Sequence, residues 1–592
     1  MAKENFMDGL KDLSLTRRDF LKGLAAAGLL GGSMGSGWST IGTKAPGEQI
    51  PEGAKPIPPV SPGRWDRETD VLIIGYGIGG AQAALAVHEK GAKMIILEKA
   101  PDLSWGGRGV RGPIIFGAKL WEEATGLKWD EETREKVVES SLAAAFHVPD
   151  RRLLRRALDA CKDAVEATIK TGVKFGGIPM LPGGMEAGAV PPVAIYVKAT
   201  DLSEFTPRDP WLYKWLGVQR TIERHLKKAN VEFMVSTKAE SLATDRTGGV
   251  VGVKASGPEG KPIYLKAKSV VICTGGYGAN YDMIKHYGYL DEVAGFYMGS
   301  RYNSGDGIRM AQGVGADIIG LPCGGFTDGG IPTQEMGLPW AWDAYEYDGE
   351  TICGLYQAAV QLGRQPVLKV NVAGRRFMNE DQSWTAKVNH TWMQPGHVLF
   401  AIYDGDIEKN IEVMEGARYG WCEQMIRPTM RVYYNDDDIR PLFDWRDSFK
   451  RALDDGLILK AETLRELAKK LGIDDVKQFL KTVKEYNAAV DKGVDERFGK
   501  NPGFLFPVRK PPFYGMKRKP GIITNTVGGI RINENTEVLT AKGRPIPGLY
   551  AGSVVCSGLS AEYDRYALGG AAAAFALGRI AGEDAAASAL EK

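Results

Sequence analysis

Residues 70–98, DVLIIGYGIGGAQAALAVHEKGAKMIILE, contain the pattern that decides the predicted fold. An apolar run ends at Gly75-x-Gly77-x-x-Gly80, and a small-residue helix and a second apolar run that closes on Glu98 follow. The first glycine permits the tight turn, the second lets the backbone approach a pyrophosphate, and the third allows helix and strand to pack closely. The helix N-terminus offers free N–H groups to phosphates, and Glu98 is placed to accept hydrogen bonds from a ribose. The stretch therefore predicts a dinucleotide-binding unit.

The composition limits the classes of function that the chain can have. With 592 residues, 44% of them hydrophobic, it can bury a large core, and its length allows about four domains. Its 75 basic and 73 acidic side chains give a net charge of +2, which does not indicate a nucleic-acid partner. The six cysteines are scattered, without CxxC or CxxCH, so structural zinc, an iron–sulfur cluster and c-type haem have no local signature. We expect no metal, and we expect electrons to arrive or leave through a separate partner.

The N-terminal residues indicate where the protein is sent. Residues 16–22, TRRDFLK, followed by a short apolar run, predict a twin-arginine export signal over residues 1–32. The apolar run is shorter than the ~20 residues that cross a bilayer, so no membrane span is expected. The alternative is a basic amphipathic N-terminal helix. Residues 33–64, rich in Gly, Ser and Pro, are predicted to be a linker with no fold of its own. We expect the protein in the periplasm or on the outer face of the cytoplasmic membrane.

Further glycine-bearing segments are distributed along the chain. Residues 104–112, SWGGRGVRG, predict a loop whose backbone can run close to a flat ligand. Residues 150–170 have apolar residues at helical spacing and basic residues opposite them, which predicts a surface helix rather than a binding patch. The remaining segments are TGGYGAN, SGDGI, GRRFMNE, GGIRI, IPGLYAG and GRIAG, at residues 274–280, 304–308, 374–380, 528–532, 546–552 and 578–582.

In this order the motifs resemble those of the flavoprotein family of fumarate reductases, succinate dehydrogenases and 3-ketosteroid dehydrogenases, from residue 70 to the C-terminus. The resemblance implies FAD as the cofactor. It also implies an α/β fold in which a Rossmann-like FAD-binding domain, residues 65–325 and 516–592, is split in sequence by an inserted α+β capping domain, residues 326–515. The substrate would lie between the two domains, beside the flavin.

The resemblance also implies a set of cofactor contacts, most of them glycines or polar residues. They are Gly75, Gly77, Gly79, Gly80, Glu98, Lys99, Gly106, Gly107, Gly112, Ala239, Thr274, Gly275, Gly276, Asp306, Gly552, Ser553 and Gly569. The family usually has an acid after GLYAG to hold the ribityl chain, and Ser553 stands there in this sequence. Gly569 and Gly570 lead the last helix, whose N-terminus would point at the edge of the flavin where negative charge accumulates on reduction.

Several positions differ from those of fumarate reductases. The catalytic arginine of those enzymes, four residues after the Asn-Glu pair, falls on Trp384, and the two side chains that clamp the substrate carboxylates fall on Asn525 and Ala567. Their paired His-Pro-Thr segment has no counterpart in residues 321–335. A dianion buried without these cations would cost several kcal/mol, so the sequence argues against fumarate and succinate as substrates.

Aromatic residues are prominent in the predicted substrate region. Tyr566 and Gly570 have the Tyr-x-x-x-Gly spacing of the 3-ketosteroid dehydrogenases, in which a tyrosine hydroxyl and a glycine N–H polarise a substrate ketone. Such a pair forms a small oxyanion hole, although tyrosines beside a flavin also serve as simple packing. Residues 339–356, PWAWDAYEYDGETICGLY, either line an apolar, ring-sized pocket or form a packed loop.

Candidates for proton transfer come from two places in the chain. Tyr563, Asp564 and Arg565 precede Tyr566 directly. Two histidines, at positions 390 and 397, belong to the predicted cap, although a lone histidine is more often structural. The candidate catalytic residues are therefore Tyr566, Gly570, Tyr563, Arg565 and Trp384.

Together these features predict an exported FAD-dependent oxidoreductase. It would move hydride between flavin N5 and a C=C bond conjugated to a carbonyl, on a cyclic or aromatic substrate. Exported members of the family often serve as respiratory electron sinks, which favours reduction, with a cytochrome or a quinol-linked protein as the redox partner. The alternatives are a 3-ketosteroid-type dehydrogenase and a non-catalytic flavoprotein subunit that relays electrons.

Overall fold

The computed structural model describes residues 50–103, 114–145, 147–179, 190, 193–199, 210–287, 300, 302–320, 324–330, 362–363, 365–382, 384–416, 445–526, 528–561, 565–566 and 570–591. All of them belong to one unit of the chain, Lys44–Lys592. No helix within these ranges is both long enough and apolar enough to span a membrane.

The secondary structure alternates between strands and helices in the first half of the chain. The helices are α1 Ile78–Glu89, α2 Lys119–Thr125, α3 Glu131–Ala144, α4 Arg151–Lys170, α5 Pro210–Lys228, α6 Tyr281–Tyr287, α7 Asp306–Gly313, α8 Trp384–Trp392, α9 Ile407–Gly416, α10 Trp445–Asp454, α11 Leu464–Leu471, α12 Val476–Lys492 and α13 Gly570–Glu591. The strands are β1 Arg67–Ile74, β2 Met94–Leu97, β3 Ile114–Ile115, β4 Lys174–Pro179, β5 Val193–Ala199, β6 Glu232–Met234, β7 Lys238–Thr244, β8 Val250–Ser256, β9 Pro262–Ile272, β10 Ile318–Ile319, β11 Gly324–Gly330, β12 Leu368–Val370, β13 Leu399–Tyr403, β14 Leu459–Ala461, β15 Phe513–Thr526, β16 Gly529–Arg531, β17 Glu537–Leu539, β18 Pro545–Ala551, β19 Cys556–Ser557, β20 Ser560–Ala561 and β21 Arg565–Tyr566.

The central sheet is built around β1. This strand pairs in parallel with β2 on one side and with β9 on the other, in the order β17-β18-β9-β1-β2-β6, and the β7–β8 hairpin joins β9. Val71, Leu72, Ile73 and Ile74 are at most 4% exposed. Such an uninterrupted apolar run is typical of a parallel strand that is covered on both faces. The predicted Rossmann-like α/β fold is confirmed.

The C-terminal part of the chain completes the central sheet. Strand β18 pairs in parallel with β9, with Leu549 opposite Val270 and Ala551 opposite Ile272. Two segments far apart in sequence therefore share one sheet, which confirms that the FAD-binding fold is split. The predicted domain boundaries remain predictions.

A second sheet lies between the two segments in sequence. Its order is β11-β15-β13-β12, with β14 also paired to β15, and all of its pairings are antiparallel. Its own apolar cluster includes Phe400, Phe479 and Tyr486, and differs from the cluster under the central sheet. Strand β15 has 14 residues and ends at Thr526, close to the glycine loop after β9.

Helices α1 and α13 pack with their backbones almost in contact. A Cβ atom on Gly578 would overlap the carbonyl oxygen of Gly79, and a Cβ atom on Gly582 would overlap that of Ala83. Residues four apart lie on one face of a helix, so these two glycines form a bare stripe on α13. Because α1 follows the first strand and α13 is the last helix, this stripe joins the two parts of the split fold.

We expect Gly578→Ala to lower the stability of the protein, although alanine has the higher helix propensity. Propensity alone would add about 1 kcal/mol to the free energy of unfolding, whereas a methyl group forced against the α1 backbone should cost about 1–3 kcal/mol. The matched control is Ala587→Gly, on the exposed face of the same helix, which should lose about 1 kcal/mol through propensity. Denaturant unfolding measures both variants, and a more stable Gly578→Ala protein would contradict the close packing.

Residues 50–64, here called the strap, lie against α6, α7 and β7. Ala54 is fully buried, the N–H of Ile57 donates to the carbonyl oxygen of Arg309 at 2.9 Å, and the N–H of Val60 donates to that of Leu242 at 2.9 Å. A proline-rich segment is stiff and extended, so its few N–H groups can meet partners at fixed spacing. This part of the predicted linker therefore has a defined backbone position.

Helix α4 carries the run of arginines that the sequence analysis assigned to a surface helix. Arg151 pairs with Glu135 and Glu139, and Arg155 pairs with Glu131 and Glu135 of α3. The opposite face of α4 is buried and apolar. The basic face is therefore neutralised within the protein, which agrees with a structural role.

Candidate cofactor and active site

The glycine turn between β1 and α1 has a backbone geometry that suits a phosphate. Gly75 has a φ of +93°, in the region that glycine adopts without strain, and a Cβ atom there would lie 2.7 Å from the carbonyl oxygen of Cys273. Gly77 is the N-cap of α1, and no side chain caps this helix. A Cβ atom on Gly80 would overlap the carbonyl oxygen of Gly75. The first N–H groups of α1 are therefore available to an anion beside a backbone that approaches closely.

Glu98 is held beside this turn by two backbone donors. The residue is 7% exposed, and in its carboxylate Oε2 accepts from the N–H of Tyr76 at 2.9 Å and Oε1 accepts from that of Ala100 at 2.8 Å. Burial raises the pKa of this carboxyl, and the two N–H groups partly offset that effect. Each carboxylate oxygen has a further lone pair, so the fixed carboxylate can still accept hydrogen bonds from ribose hydroxyls.

Lys99 and Asp306 form an ion pair next to Glu98. The Lys99 ammonium lies 2.6 Å from Oδ2 of Asp306 and 2.5 Å from Oγ of Ser304. Burial alone would raise the pKa of the Asp306 carboxyl, but the Lys99 ammonium outweighs burial and holds that pKa below its ordinary value. Since Asp306 is the first residue of α7, the ion pair connects the end of β2 to the start of this helix.

We expect Lys99→Met to destabilise the folded protein in a pH-dependent way. Because the folded-state pKa of Asp306 is lowered, the ion pair stabilises the protein above the unfolded-state pKa of 3.8 and its contribution is lost as the pH falls through the folded-state pKa. At pH 7 the variant should lose about 1–3 kcal/mol, and the difference from wild type should shrink in acid.

Lys238→Met is the control for this prediction. Lys238 lies 3.9 Å from Asp306 and is 52% exposed, so the variant should stay within about 0.5 kcal/mol of wild type. Thermal unfolding between pH 3 and pH 8 measures all three proteins. Equal losses for both lysine variants, or a loss for Lys99→Met that does not change with pH, would contradict this assignment.

Ser553 stands at the position where the family usually has an acid. Its φ is +76°, a conformation that costs a residue with a side chain about 1–2 kcal/mol. It is 6% exposed and lies against Gly79 of α1, where a Cβ atom would overlap the serine side chain. Strained residues held in this way cluster at ligand sites. A short, neutral hydroxyl therefore lies over the glycine turn.

Thr274 provides a test of whether the site fits a cofactor. Its hydroxyl is buried and has no hydrogen-bond partner within the described part of the chain. A Cβ atom on Gly307 would overlap this hydroxyl, which places the hydroxyl at the first turn of α7. An unsatisfied buried hydroxyl costs about 1–3 kcal/mol, and a polar group of a bound nucleotide would remove that cost. Together with the glycine turn and Glu98, this residue fits FAD.

The structure brings most of the predicted cofactor residues to the carboxyl ends of β1, β2, β9 and β18. Ala239, 5% exposed, follows Lys238 on β7, and Gly275 and Gly276 follow Thr274. Gly106, Gly107, Gly112, Gly569 and the catalytic candidate Tyr563 lie outside the described residues. For three further candidates, Trp384, Arg565 and Tyr566, the structure describes the backbone alone.

The backbone places Tyr566 and Gly570 at the end of a hairpin and at the start of a helix. Strands β20 and β21 pair in antiparallel fashion, with Ser560 opposite Tyr566. Helix α13 begins at Gly570 and has 22 residues. The N–H groups of the first turn have no partner within the helix, and they carry the positive end of its dipole. This arrangement can stabilise negative charge that develops nearby.

The histidine candidates have different surroundings. Nδ1 of His397 lies 2.8 Å from the carbonyl oxygen of Trp392. The imidazole and indole rings of these residues pack edge to face, with their centroids 4.9 Å apart. This agrees with the structural alternative for His397, and His390 lies in the last turn of α8. Among the described residues, no three His, Cys, Asp or Glu side chains are grouped so that they could hold a metal ion.

A buried ion cluster near the second sheet was missed by the sequence analysis. Arg376 donates to both oxygens of Glu380 at 2.7 and 2.6 Å and to Asp495 at 2.6 Å. The Lys500 ammonium lies 3.4 Å from Glu380 and donates to the hydroxyl of Tyr486 at 3.0 Å. The charged motif GRRFMNE was visible, but Asp495 lies 119 residues after Arg376, so no local pattern indicates their contact. Lys500 and Arg376 hold the pKa of Glu380 below its ordinary value, although burial opposes them.

We expect Arg376→Met to destabilise the protein strongly, because two buried carboxylates lose their shared guanidinium. Removing one member of a buried ion pair typically costs about 3–5 kcal/mol. The neighbouring Arg375 is exposed, so Arg375→Met should change stability by less than about 0.5 kcal/mol. Denaturant unfolding compares the two variants, and similar stability would mean that the cluster contributes little.

The sequence of the chain identifies its family. The FAD binding domain family matches residues 70–570, most of the chain, and the protein belongs to that family. It is an FAD-dependent oxidoreductase, of the class that acts on CH–CH and C=C bonds. The resemblance to the fumarate reductase and succinate dehydrogenase flavoproteins, and FAD as the cofactor, are thereby confirmed.

Three relatives share less than 30% sequence identity with the chain, and two of them have solved structures. Vinyl phenol reductase of Lactiplantibacillus plantarum is 26% identical over 503 residues, which cover 83% of this chain and 91% of that protein. The solved structure of the 3-ketosteroid-Δ4-(5α)-dehydrogenase of Rhodococcus jostii matches 90% of this chain. The match covers 100% of that protein's chain, with a TM-score of 0.62 and 22% identity. The solved structure of the open conformation of a flavocytochrome c3 fumarate reductase matches 89% of this chain. The match covers 79% of that protein's chain, with a TM-score of 0.61 and 23% identity.

Proposed function

We propose that this protein is an exported ene-reductase, which adds hydride to a C=C bond conjugated to a carbonyl. Three observations support the reduction of a C=C bond in a substrate other than fumarate. The chain belongs to the FAD binding domain family, a relative that matches most of its length is a vinyl phenol reductase, and the positions of the fumarate-binding cations hold uncharged residues.

The observation that carries the proposal is the placement of Tyr566 and Gly570. Tyr566 ends the β20–β21 hairpin, and Gly570, four residues later, begins α13. A tyrosine hydroxyl and a free helix N–H are both hydrogen-bond donors, so the pair suits an oxygen on which negative charge develops. A carbonyl conjugated to the reacting double bond has such an oxygen.

The proposed mechanism assigns one task to each of these groups. Bound FAD supplies the hydride, from N5 of its reduced ring. The Tyr566 hydroxyl and the Gly570 N–H bind the substrate carbonyl oxygen and stabilise the charge that hydride addition places on it. A proton then reaches the carbon next to the carbonyl, and Tyr563 and Arg565 are the proposed residues for moving it. The addition of one hydride and one proton leaves a saturated bond.

The substrate is proposed to be neutral and to contain a ring. Trp384, Asn525 and Ala567 occupy the positions that hold carboxylate-binding cations in fumarate reductases. Without those cations a dicarboxylate would be buried with its charges unpaired, whereas a neutral ring would gain from apolar burial. The aromatic residues within 339–356, which lie outside the described part of the chain, are proposed to line its pocket.

The same site can work in the opposite direction. The Tyr-x-x-x-Gly spacing resembles that of the 3-ketosteroid dehydrogenases, so a desaturation that sends electrons out of the protein is the second candidate. In either direction we propose export by the twin-arginine signal and a separate cytochrome or quinol-linked redox partner.

We expect Tyr566→Phe to lower turnover by about 100- to 1,000-fold, the typical effect of removing one oxyanion-hole donor. FAD content, read from the flavin absorbance, should not change, because phenylalanine keeps the ring. Tyr264→Phe, near the start of β9 and ten residues before Thr274, is the control and should keep full activity. Turnover of Tyr566→Phe within about threefold of wild type would remove Tyr566 from the mechanism.

A further inference from the structure

The side chain of Asn280 makes contacts in two directions. Its Nδ2 donates to the carbonyl oxygen of Gly53 in the strap at 2.9 Å and to that of Ser304 at 2.9 Å. Its Oδ1 accepts from the N–H of Met283 at 3.1 Å. The amide nitrogen and the amide oxygen of Asn280 therefore both make hydrogen bonds, which determines the orientation of the carboxamide. Asn280 joins the strap to the segment that precedes α7.

The segment that Asn280 holds belongs to the cofactor site. The Ser304 hydroxyl lies 3.0 Å from Oδ2 of Asp306 and 2.5 Å from the Lys99 ammonium. Lys99 directly follows Glu98, the acid at the end of the second strand, and in dinucleotide folds this acid binds the ribose. A continuous set of polar contacts therefore runs from the strap, through Asn280 and Ser304, to the ribose end of the site.

Helix α7 provides a second connection between strap and site. This helix begins at Asp306, and its Arg309 donates from Nε to the carbonyl oxygen of Lys55 at 2.7 Å and from Nη2 to that of Glu52 at 3.1 Å. A Cβ atom on Gly313 would overlap the carbonyl oxygen of Ile57. The strap thus contacts α7 at Arg309 and at Gly313, and a shift of this helix along its axis would move both sets of contacts.

We propose that the strap is a latch on the ribose end of the FAD site, and that Asn280 is the positioning residue that couples the two. FAD that orders Lys99, Ser304 and Asp306 favours the docked strap, and by reciprocity the docked strap strengthens FAD binding by the same factor. The predicted export signal lies N-terminal to the strap in sequence. Binding of FAD therefore changes how firmly the strap, which follows that signal in sequence, is docked. This inference depends on the position of FAD and not on the substrate.

Hydrogen exchange tests the latch in the wild-type protein. The N–H groups of Gly53, Ile57 and Val60 are hydrogen-bonded to Asp282, Arg309 and Leu242. They should exchange about 10-fold faster in protein stripped of FAD than in the holoenzyme, within the usual range of coupling between sites, and added FAD should restore protection. The N–H groups of α12, which packs in the separate apolar cluster of the second sheet, serve as the internal reference. Equal exchange of the strap with and without FAD would overturn the proposal.

Two matched variants test the role of Asn280. Asn280→Ala and Asp282→Ala each remove one hydrogen bond to Gly53, but Asn280 alone also contacts Ser304. Asp282→Ala should speed exchange of the strap both with and without FAD, and should keep the 10-fold ratio between the exchange rates of the FAD-free and FAD-bound proteins. Asn280→Ala should reduce that ratio to about 1, as expected when coupling is lost. The FAD dissociation constant, measured by flavin fluorescence, should rise for Asn280→Ala. A ratio that is kept in Asn280→Ala, or lost in both variants, would exclude Asn280 as the coupling residue.

No substrate is present in these experiments. A negative hydrogen-exchange result would therefore not count against the proposed ene-reductase activity, and a lack of that activity would not count against the coupling of the strap to FAD.

Discussion

The contact between the bare backbones of α1 and α13 is the constraint on which the rest of the structure depends. Gly578 and Gly582 of α13 have no side chains where they meet Gly79 and Ala83 of α1, and a Cβ atom on Gly552 would lie 2.7 Å from the α13 carbonyl oxygen of Leu577. The first glycine turn, the segment with Ser553 and the last helix are therefore brought together. Because α13 begins at Gly570, the same packing also fixes the start of this helix relative to the glycine turn after β1.

Charge is distributed unevenly between the cofactor site and the predicted substrate positions. The Lys99–Asp306 pair lies at the ribose end, and the cluster of Arg376, Glu380, Asp495 and Lys500 lies near the second sheet, almost fully buried. In both places opposite charges neutralise one another within the protein. The positions that the family resemblance assigns to dicarboxylate binding hold neutral residues in this sequence. This difference is the physical basis for proposing an uncharged substrate.

Much of the fold and of the cofactor site could be predicted from the sequence, because their patterns are local. The apolar run before Gly75, the glycine spacing and the terminal Glu98 form one continuous stretch, and the structure confirms the parallel sheet that they imply. Contacts between distant segments could not be predicted in this way. Asp495 meets Arg376 across 119 residues, and Gly53 meets Asn280 across 227, so neither partner has a sequence pattern that identifies the other. Composition was also a poor guide to residues 50–64, since a Gly- and Pro-rich segment can dock when its few N–H groups find partners.

Anaerobic reoxidation of the reduced flavin tests the central claim most directly. The purified protein would be reduced with dithionite, and the return of oxidised flavin absorbance would be followed after addition of fumarate, an aryl-acrylate, 4-vinylphenol, a cyclic enone or a steroid enone. We expect rapid reoxidation by a neutral ring-bearing enone and none by fumarate. Rapid reoxidation by fumarate, or by none of these compounds while FAD remains bound, would contradict the proposed function.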